Sequence, residues 1–439
     1  MQTNEQPTTP GRELPPPLAG TRFDRFRGEM MAGGAVTERD PAEEPFGGGS
    51  TGAIAGLAII GLFIWLGLTS RWMLLFALGI LVSVFLHELG HFVTARMTGM
   101  KATQFFIGFG PRLWSFHRGE TEYGVRLLPL GAFVRIIGMN NLDDVPPADE
   151  ARTYRQKSYP RRMLVITAGS LMHLLIAIVL LFGVFAIRGQ IVDRLGAEVG
   201  DVAAESGADA ASIQSGDIIL SVGGVAIEDG DLGAAVREAD PGDTVAVVFE
   251  RDGQQVTVDA TLGENTTPGE LNGTALLGVT SRGATEWEEL SIGEAATTTF
   301  TDLLPATWES TKGIVQVLNP VNIFEHLTGS SEDLRTRPTT IVGVTGVSDD
   351  IGEGQVLAGV LYLLAILNVF VGVFNMFPLL PLDGGHAAIA TYERFREIGR
   401  GGRRYFADVA RLMPFTMGVI AVLFFLFMSG LYLDITKPL

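Results

Sequence analysis

The chain has 439 residues, 47% of them hydrophobic and only 18% charged, with positive mean hydropathy. That is the balance of a membrane protein carrying a soluble part. A net charge of −17 argues against nucleic acid as a partner. The absence of cysteine excludes disulfides, thiol catalysis and cysteine-ligated zinc.

Residues 1–50 are rich in Pro, Gly, Thr and Glu and read as a disordered cytoplasmic tail. The first apolar run starts near Ala53 with nothing like a cleavage site, so no signal peptide is expected. Five segments are long and apolar enough for a core of about 30 Å: near Ala53–Thr69, Trp72–Ala95, Met163–Ile187, Gln355–Leu380 and Leu412–Leu433. Only Ser70 and Arg71 separate the first two. One continuous helix would run more than about 50 Å, so a tight helical hairpin is predicted, with Trp65, Arg71 and Trp72 at the interface.

The second run ends in His87-Glu88-Leu89-Gly90-His91. Residues four apart share a helix face, so both imidazoles can bind one metal ion, with the Glu88 carboxylate beside it. Buried ionisable groups in a span are costly and usually functional. A chance His-Glu-x-x-His is the alternative, and the membrane setting weakens it.

The loop at 97–162 contains Phe105–Pro111 and Tyr123–Val134, two stretches mixing aromatics, β-formers and glycine. They predict β-hairpins near the membrane face, or a plain amphipathic surface hairpin. Between 188 and 355 lie 29 acidic and 8 basic side chains, a net of −21, so the remainder sums to +4. Arg96, Lys101, Arg112, Arg118, Arg161 and Arg162 flank the second span, and Arg394, Arg396, Arg400, Arg403, Arg404 and Arg411 precede the last. The positive-inside rule makes these loops and the N-terminus cytoplasmic and the acidic region extracytoplasmic. Five spans then put the C-terminus outside as well. Within the acidic region, Ser212–Val222 reads as a turn and strand, Asp229–Ala239 as helical, and Thr244–Gly253 with Gln255–Leu262 as an Asp-Gly hairpin. A small peptide-binding domain fits, as would another small α+β domain. Residues 284–354 are less legible, with helical spacing over Ala295–Val317 and a strand-like Thr339–Gly346.

A catalytic zinc takes three protein ligands and leaves one position open. His173, Asp383 and His386 are the other candidates inside membrane-like sequence. Asn375–His386 contains Pro378 and Pro381, which break a helix, and Gly384-Gly385, which permit a sharp turn. Asp383 is thus expected on irregular backbone lining a cavity, at the same membrane end as His87, and is preferred as third ligand. A juxtamembrane charge is the alternative. His386 reads as a supporting group and His173 as a polar contact between helices.

His87–His91, Gly108-Phe109-Gly110, Pro129-Leu130-Gly131 and Asn375–His386, in this order, resemble the site-2 protease family. The resemblance is to the bacterial regulator-of-sigma type and its actinobacterial branch, over about residues 72–433. It implies a polytopic α-helical membrane protein of about five spans, with a membrane-associated β-hairpin region and one extracytoplasmic PDZ-like α+β domain. The division is a tail over 1–50, an additional transmembrane helix over 51–70, a first core half over 71–187, the PDZ-like domain over 188–283, a linker over 284–354 and a second core half over 355–439. The resemblance further implies intramembrane proteolysis with one Zn2+ on His87, His91 and Asp383, and Glu88 as catalytic base. It makes Asn375, Gly108, Phe109 and Gly110 substrate-binding, the 105–134 hairpin adding the substrate as a strand. The implied substrate is a membrane protein such as an anti-sigma factor, first trimmed by an upstream site-1-type protease. Two departures stand out. Relatives carry Gly-Pro-x-x-Asn where this chain has Gly169-Ser170-Leu171-Met172-His173, and Ala53–Thr69 is an addition to the usual four-helix plan.

A PDZ-bearing scaffold without catalysis gives no reason for buried metal ligands. A zinc transporter commonly shows repeated broken helices, and no such repeat is visible here.

Overall fold

The computed structural model describes residues 50–139, 145–228, 230–266, 271–328, 356–401 and 403–436. The expected tail, up to residue 49, and the expected strand Thr339–Gly346 lie outside these residues. In chain order the main elements are α1 (Ser50–Thr69), α2 (Arg71–Met97), β1 (Ala102–Arg118), β2 (Thr121–Ile136), α3 (Tyr159–Arg188), β3 (Gln190–Val202), α4 (Gly207–Ala210), β4 (Ile218–Val222), β5 (Val225–Ala226), α5 (Leu232–Val236), β6 (Thr244–Arg251) and β7 (Gln254–Thr261). They continue with β8 (Gly263–Glu264), β9 (Ala275–Leu276), β10 (Val279–Glu288), α6 (Ile292–Val317), α7 (Pro320–Thr328), α8 (Val356–Asn375), α9 (Asp383–Ile398) and α10 (Met413–Thr436).

Among the described residues four helical segments are long and apolar enough to cross a membrane: Arg71–Met97, Tyr159–Arg188, Leu357–Asn375 and Met413–Asp434. The chain divides into a unit made of 1–181 with 299–439, and a second unit over 182–298.

In the first unit, α1 and α2 are separate helices. Ser70 adopts extended dihedrals (φ −152, ψ 118), and its hydroxyl accepts a hydrogen bond from Met73 N, capping α2. Phe76 on α2 packs with Val360 and Leu364 of α8. A second core joins Ala95, Ile136, Val165, Ile166, Ala387 and Ala390, so α2, β2, α3 and α9 meet around one apolar centre. A buried ion pair adds to this: Arg162 of α3 donates to Glu393 of α9 at 2.5 Å, and Glu393 also accepts from Ala407 N at 2.7 Å.

β1 and β2 fold back on themselves. Phe105 pairs with Val134 on one side and Tyr123 on the other; Phe106 likewise pairs with Phe133 and Gly124. The bend in β1 falls at Gly108, whose φ of +88 a side chain rarely adopts. A Cβ there would also sit 2.7 Å from the Leu128 carbonyl oxygen. Phe106 and Phe133 stack at 5.6 Å and form a small aromatic core.

The second unit is an antiparallel sheet in the order β10-β3-β4-β6-β7, with β5 against β4. Ile219, Val222, Val247 and Phe249 point into its core. The β6–β7 turn is Asp252-Gly253, both at positive φ, as the Asp-Gly signal requires. The helical stretch expected over Asp229–Ala239 condenses to α5. Asp217 is buried and bonded by Arg251 through both oxygens, at 2.6 and 2.7 Å. β10 pairs with β3 as far as Glu288↔Gln190, past the boundary expected at 283.

Candidate metal centre

The last turns of α2 carry His87, Glu88 and His91, and the first residue of α9 is Asp383. Their side chains converge. His87 Nε2 and His91 Nε2 are 3.2 Å apart, and Asp383 Oδ2 lies 3.5 and 3.3 Å from them. The three groups offer one donor atom each within 4.8 Å of one another. Asp383 Oδ2 is buried without a hydrogen bond of its own. Lone pairs facing one another in a buried place are costly unless a cation sits between them. Two imidazoles and one carboxylate are also the donor set of a catalytic zinc with an open position. The residues therefore fit the metal.

The orientation of the site depends on α3. The Val165 carbonyl accepts from His91 Nδ1 at 2.7 Å, which holds the proton on Nδ1 and leaves the Nε2 lone pair for a metal. Gly169 lies against both rings. A Cβ there would fall 2.4 Å from His87 Cε1 and 2.4 Å from His91 Nε2. Gly90 makes the reciprocal approach, since its Cβ would meet Met172 Cγ at 2.7 Å and the Ala168 carbonyl at 2.9 Å. Small residues at both faces let the helix backbones close up, as in membrane helix packing.

Glu88 places Oε1 3.9 Å from His87 Nε2, while Oε2 accepts from Val134 N at 3.1 Å. Val134 pairs with Phe105 in the hairpin, so the β2 edge 131–136 reaches the carboxylate beside the histidines. His173 sits in the next layer. Its ring is 4.9 Å from that of His87, and its Nδ1 meets Asn368 Oδ1 at 2.8 Å. Asn368 is held in turn by donating to the Leu364 carbonyl at 2.7 Å.

Some sequence expectations are corrected. Asp383 does not lie on irregular backbone but opens a regular helix. Gly384 and Gly385 do not make a sharp turn. They are helical, and a Cβ on Gly384 would fall 2.2 Å from the Met376 and Phe377 carbonyl oxygens. They let the loop 376–382 fold over the start of α9, so that loop carries the irregular backbone instead. Asn375 ends α8 and makes no side-chain hydrogen bond among the described residues. Gly108, Phe109 and Gly110 lie at the bend of β1, where Phe109 stacks on Phe133 at 6.2 Å. No hydrogen bond or ion pair joins these three to the histidines. His386 lines a small cavity with Tyr154, Arg162 and Glu393. Val165, Gly169 and Asn368 were not singled out as site residues from sequence. Only Gly169 had a signal, as the retained glycine of the altered motif.

The family model described as Peptidase family M50 matches residues 75–430. The zinc metalloprotease Rip1 of Mycolicibacterium smegmatis is 33% identical over 397 residues, covering 83% of this chain and 97% of that protein. Rip1 of Mycobacterium tuberculosis is 32% identical over 395 residues, with the same coverages of 83% and 97%. The zinc metalloprotease RasP of Shouchella clausii is 26% identical over 392 residues, covering 72% of this chain and 88% of that one. Among solved structures, the PDZ domain of an SdrC-like protein from Listeria monocytogenes is 22% identical, covers 20% of this chain and 90% of that chain, and gives a TM-score of 0.18.

Proposed function

The chain belongs to peptidase family M50, and from that premise we propose that it carries out regulated intramembrane proteolysis with His87, His91 and Asp383 as zinc ligands and Glu88 as general base. It is a membrane zinc metalloprotease. The observation that carries the residue assignment is the convergence of three donor atoms from α2 and α9 beside the Glu88 carboxylate.

His87, His91 and Asp383 would hold the zinc ion, which would supply Lewis acidity to the attacking water and the scissile carbonyl. Glu88 takes the proton from the attacking water and delivers it to the leaving nitrogen, a transfer worth roughly 10²–10⁴-fold. Val165 keeps His91 in the productive tautomer, and Gly169 leaves the space both rings need. A substrate helix hides its peptide groups and must be extended before cleavage. The β2 edge at 131–136, which already aims Val134 N–H at Glu88, suits a substrate strand added by β-augmentation. In that reading Gly108, Phe109 and Gly110 hold the bend that shapes the edge, and Asn375 orients the substrate backbone.

The substrate is a membrane protein such as an anti-sigma factor, cut first outside the membrane by a site-1-type protease. The 182–298 unit is a PDZ-like extracytoplasmic domain that reads the trimmed terminus. Its support is the antiparallel sheet with two short helices and the charge of the region. α1 is a fifth span and the N-terminus is cytoplasmic, supported by the basic loops.

Co-expression with a tagged single-pass anti-sigma factor tests the reading. Glu88→Gln should abolish cleavage while zinc stays bound; equal cleavage by wild type and variant would sink it. Asp383→Ala should lose bound zinc in elemental analysis of the purified protein. Full zinc occupancy in that variant would remove Asp383 from the ligand set.

A further inference from the structure

Between α8 and α10, both long enough to span a membrane, the chain must return along one membrane surface. α9 and the segment after it form that return. Tyr392, Phe395 and Ile398 are exposed along α9, at 48%, 69% and 62%, and Phe415 at 57% opens α10. Beside them lies a cavity of about 500 Å³, walled by Leu380, Ala388, Ile389, Leu412 and Phe415 and rimmed by Tyr405. This volume is within the range of about 300–1,000 Å³ typical of small-molecule sites.

The charged residues that line the cavity, Asp408 and Arg411, pair with each other. Four arginines of this face are already engaged: Arg162 with Glu393, Arg394 with Glu397, Arg411 with Asp408, and Arg404 with Gln156 and the Arg155 carbonyl. Three are left without an acidic partner among the described residues: Arg396, Arg400 and Arg403. Arg396 and Arg400 hold their guanidinium carbons 5.2 and 4.8 Å from the centre of the same Tyr405 ring. Tyr405 packs edge-on against Tyr392 at 5.9 Å, and both tyrosines line the cavity. Orientation by loop charge requires only a count of arginines. It does not require two guanidinium groups gathered on one ring at the mouth of an apolar cavity.

We propose that this cavity binds one anionic phospholipid, with an acyl chain among Leu380, Ile389, Leu412 and Phe415, the phosphate on Arg396 and Arg400, and Arg403, two residues before Tyr405 in the chain, adding positive charge. Arginine suits phosphate because its planar fork donates two hydrogen bonds at once. Aromatic stacking holds each fork in place while leaving its N–H groups free. The cavity also touches Pro378, Leu380 and Gly385, the loop and helix start that position Asp383. A lipid there would brace the metal centre from behind.

The test is native mass spectrometry of the purified full chain with phosphatidylglycerol and phosphatidylcholine added at equal dose. Wild type should retain phosphatidylglycerol preferentially. Arg396→Gln/Arg400→Gln/Arg403→Gln should lose it by on the order of a hundredfold, roughly fivefold per basic group, while phosphatidylcholine retention is unchanged. Ala388→Trp, which fills the cavity without touching charge, should also lose it. Zinc content serves as the folding control, and the triple Lys variant should keep the lipid if the Gln variant fails that control. Equal retention of both lipids by wild type, or of phosphatidylglycerol by wild type and the Gln variant, would overturn the proposal. Displacement by millimolar inorganic phosphate would make it a phosphate site, and displacement by a substrate peptide would make it a substrate site; either result overturns it too.

Discussion

In the helical unit the buried polar groups are joined across the chain: His91 to Val165, His173 to Asn368, Arg162 to Glu393, and both His87 and His91 to Asp383. In the sheet unit the corresponding buried group, Asp217, is joined to Arg251, the last residue of β6 before the turn into β7, and to Gln214 N nearby. The difference follows from the surroundings. A span is apolar on every face, so the partners of its buried charged and imidazole groups come from other elements, here α3, α8 and α9. A strand alternates faces, and its partners come with the ladder. The helical unit is therefore vulnerable where helices touch, and the sheet unit where a single pair is removed.

Gly169→Val should break the helical unit's side of this comparison most severely. Its side chain would occupy the space of both histidine rings, so bound zinc and proteolysis should fall together while the protein still inserts. Elemental analysis beside a cleavage assay checks this; full zinc occupancy would show that α3 does not hold the site as closely as described. Asp217→Ala should act on the other unit alone. It removes the buried carboxylate that Arg251 pairs with at 2.6 Å and about 2 kcal/mol of charged hydrogen bonding. Trypsin should then cut faster within 182–298, with zinc content unchanged. Faster cutting accompanied by zinc loss would mean that the two units are not independent.

Glu150→Gln sharpens the comparison at its weakest point, a half-exposed pair in the connection between β2 and α3. Hydrogen bonds from Arg155 and then Gln156 hold the Glu150 carboxyl at about 2, below its ordinary 4.5. A depressed carboxylate stabilises the fold above about 4.5, and that contribution is lost as the pH falls from there toward about 2. The variant should cost less than about 1 kcal/mol at neutral pH, because exposed pairs contribute little. Thermal melts of wild type and variant should converge as the pH falls through that window.

Apolar segments long enough to cross a membrane and the candidate metal donors are both legible in the sequence, for physical reasons. Long charge-poor runs announce spans, and His-x-x-x-His on a helix places two imidazoles on one face. The Asp252-Gly253 turn was legible because only a few residue types accept positive φ. The Gly384-Gly385 pair was misread, since glycine signals both a turn and a close backbone approach, and only the packing of loop 376–382 on α9 tells them apart. Asn368 carried no signal. It is one polar residue in an apolar span, and its value comes from His173 on a different helix.

By itself, then, the sequence determined which residue types could bind a metal, that the two histidines lay in a segment long and apolar enough to span a membrane, and where strands alternated. Tertiary structure alone decided that Gly169 and Gly90 bring α2 and α3 together, that Val165 sets the His91 tautomer, and that Val134 reaches Glu88. The reason is that spacing along a chain reports which face a residue shares, but not which distant backbone that face will meet.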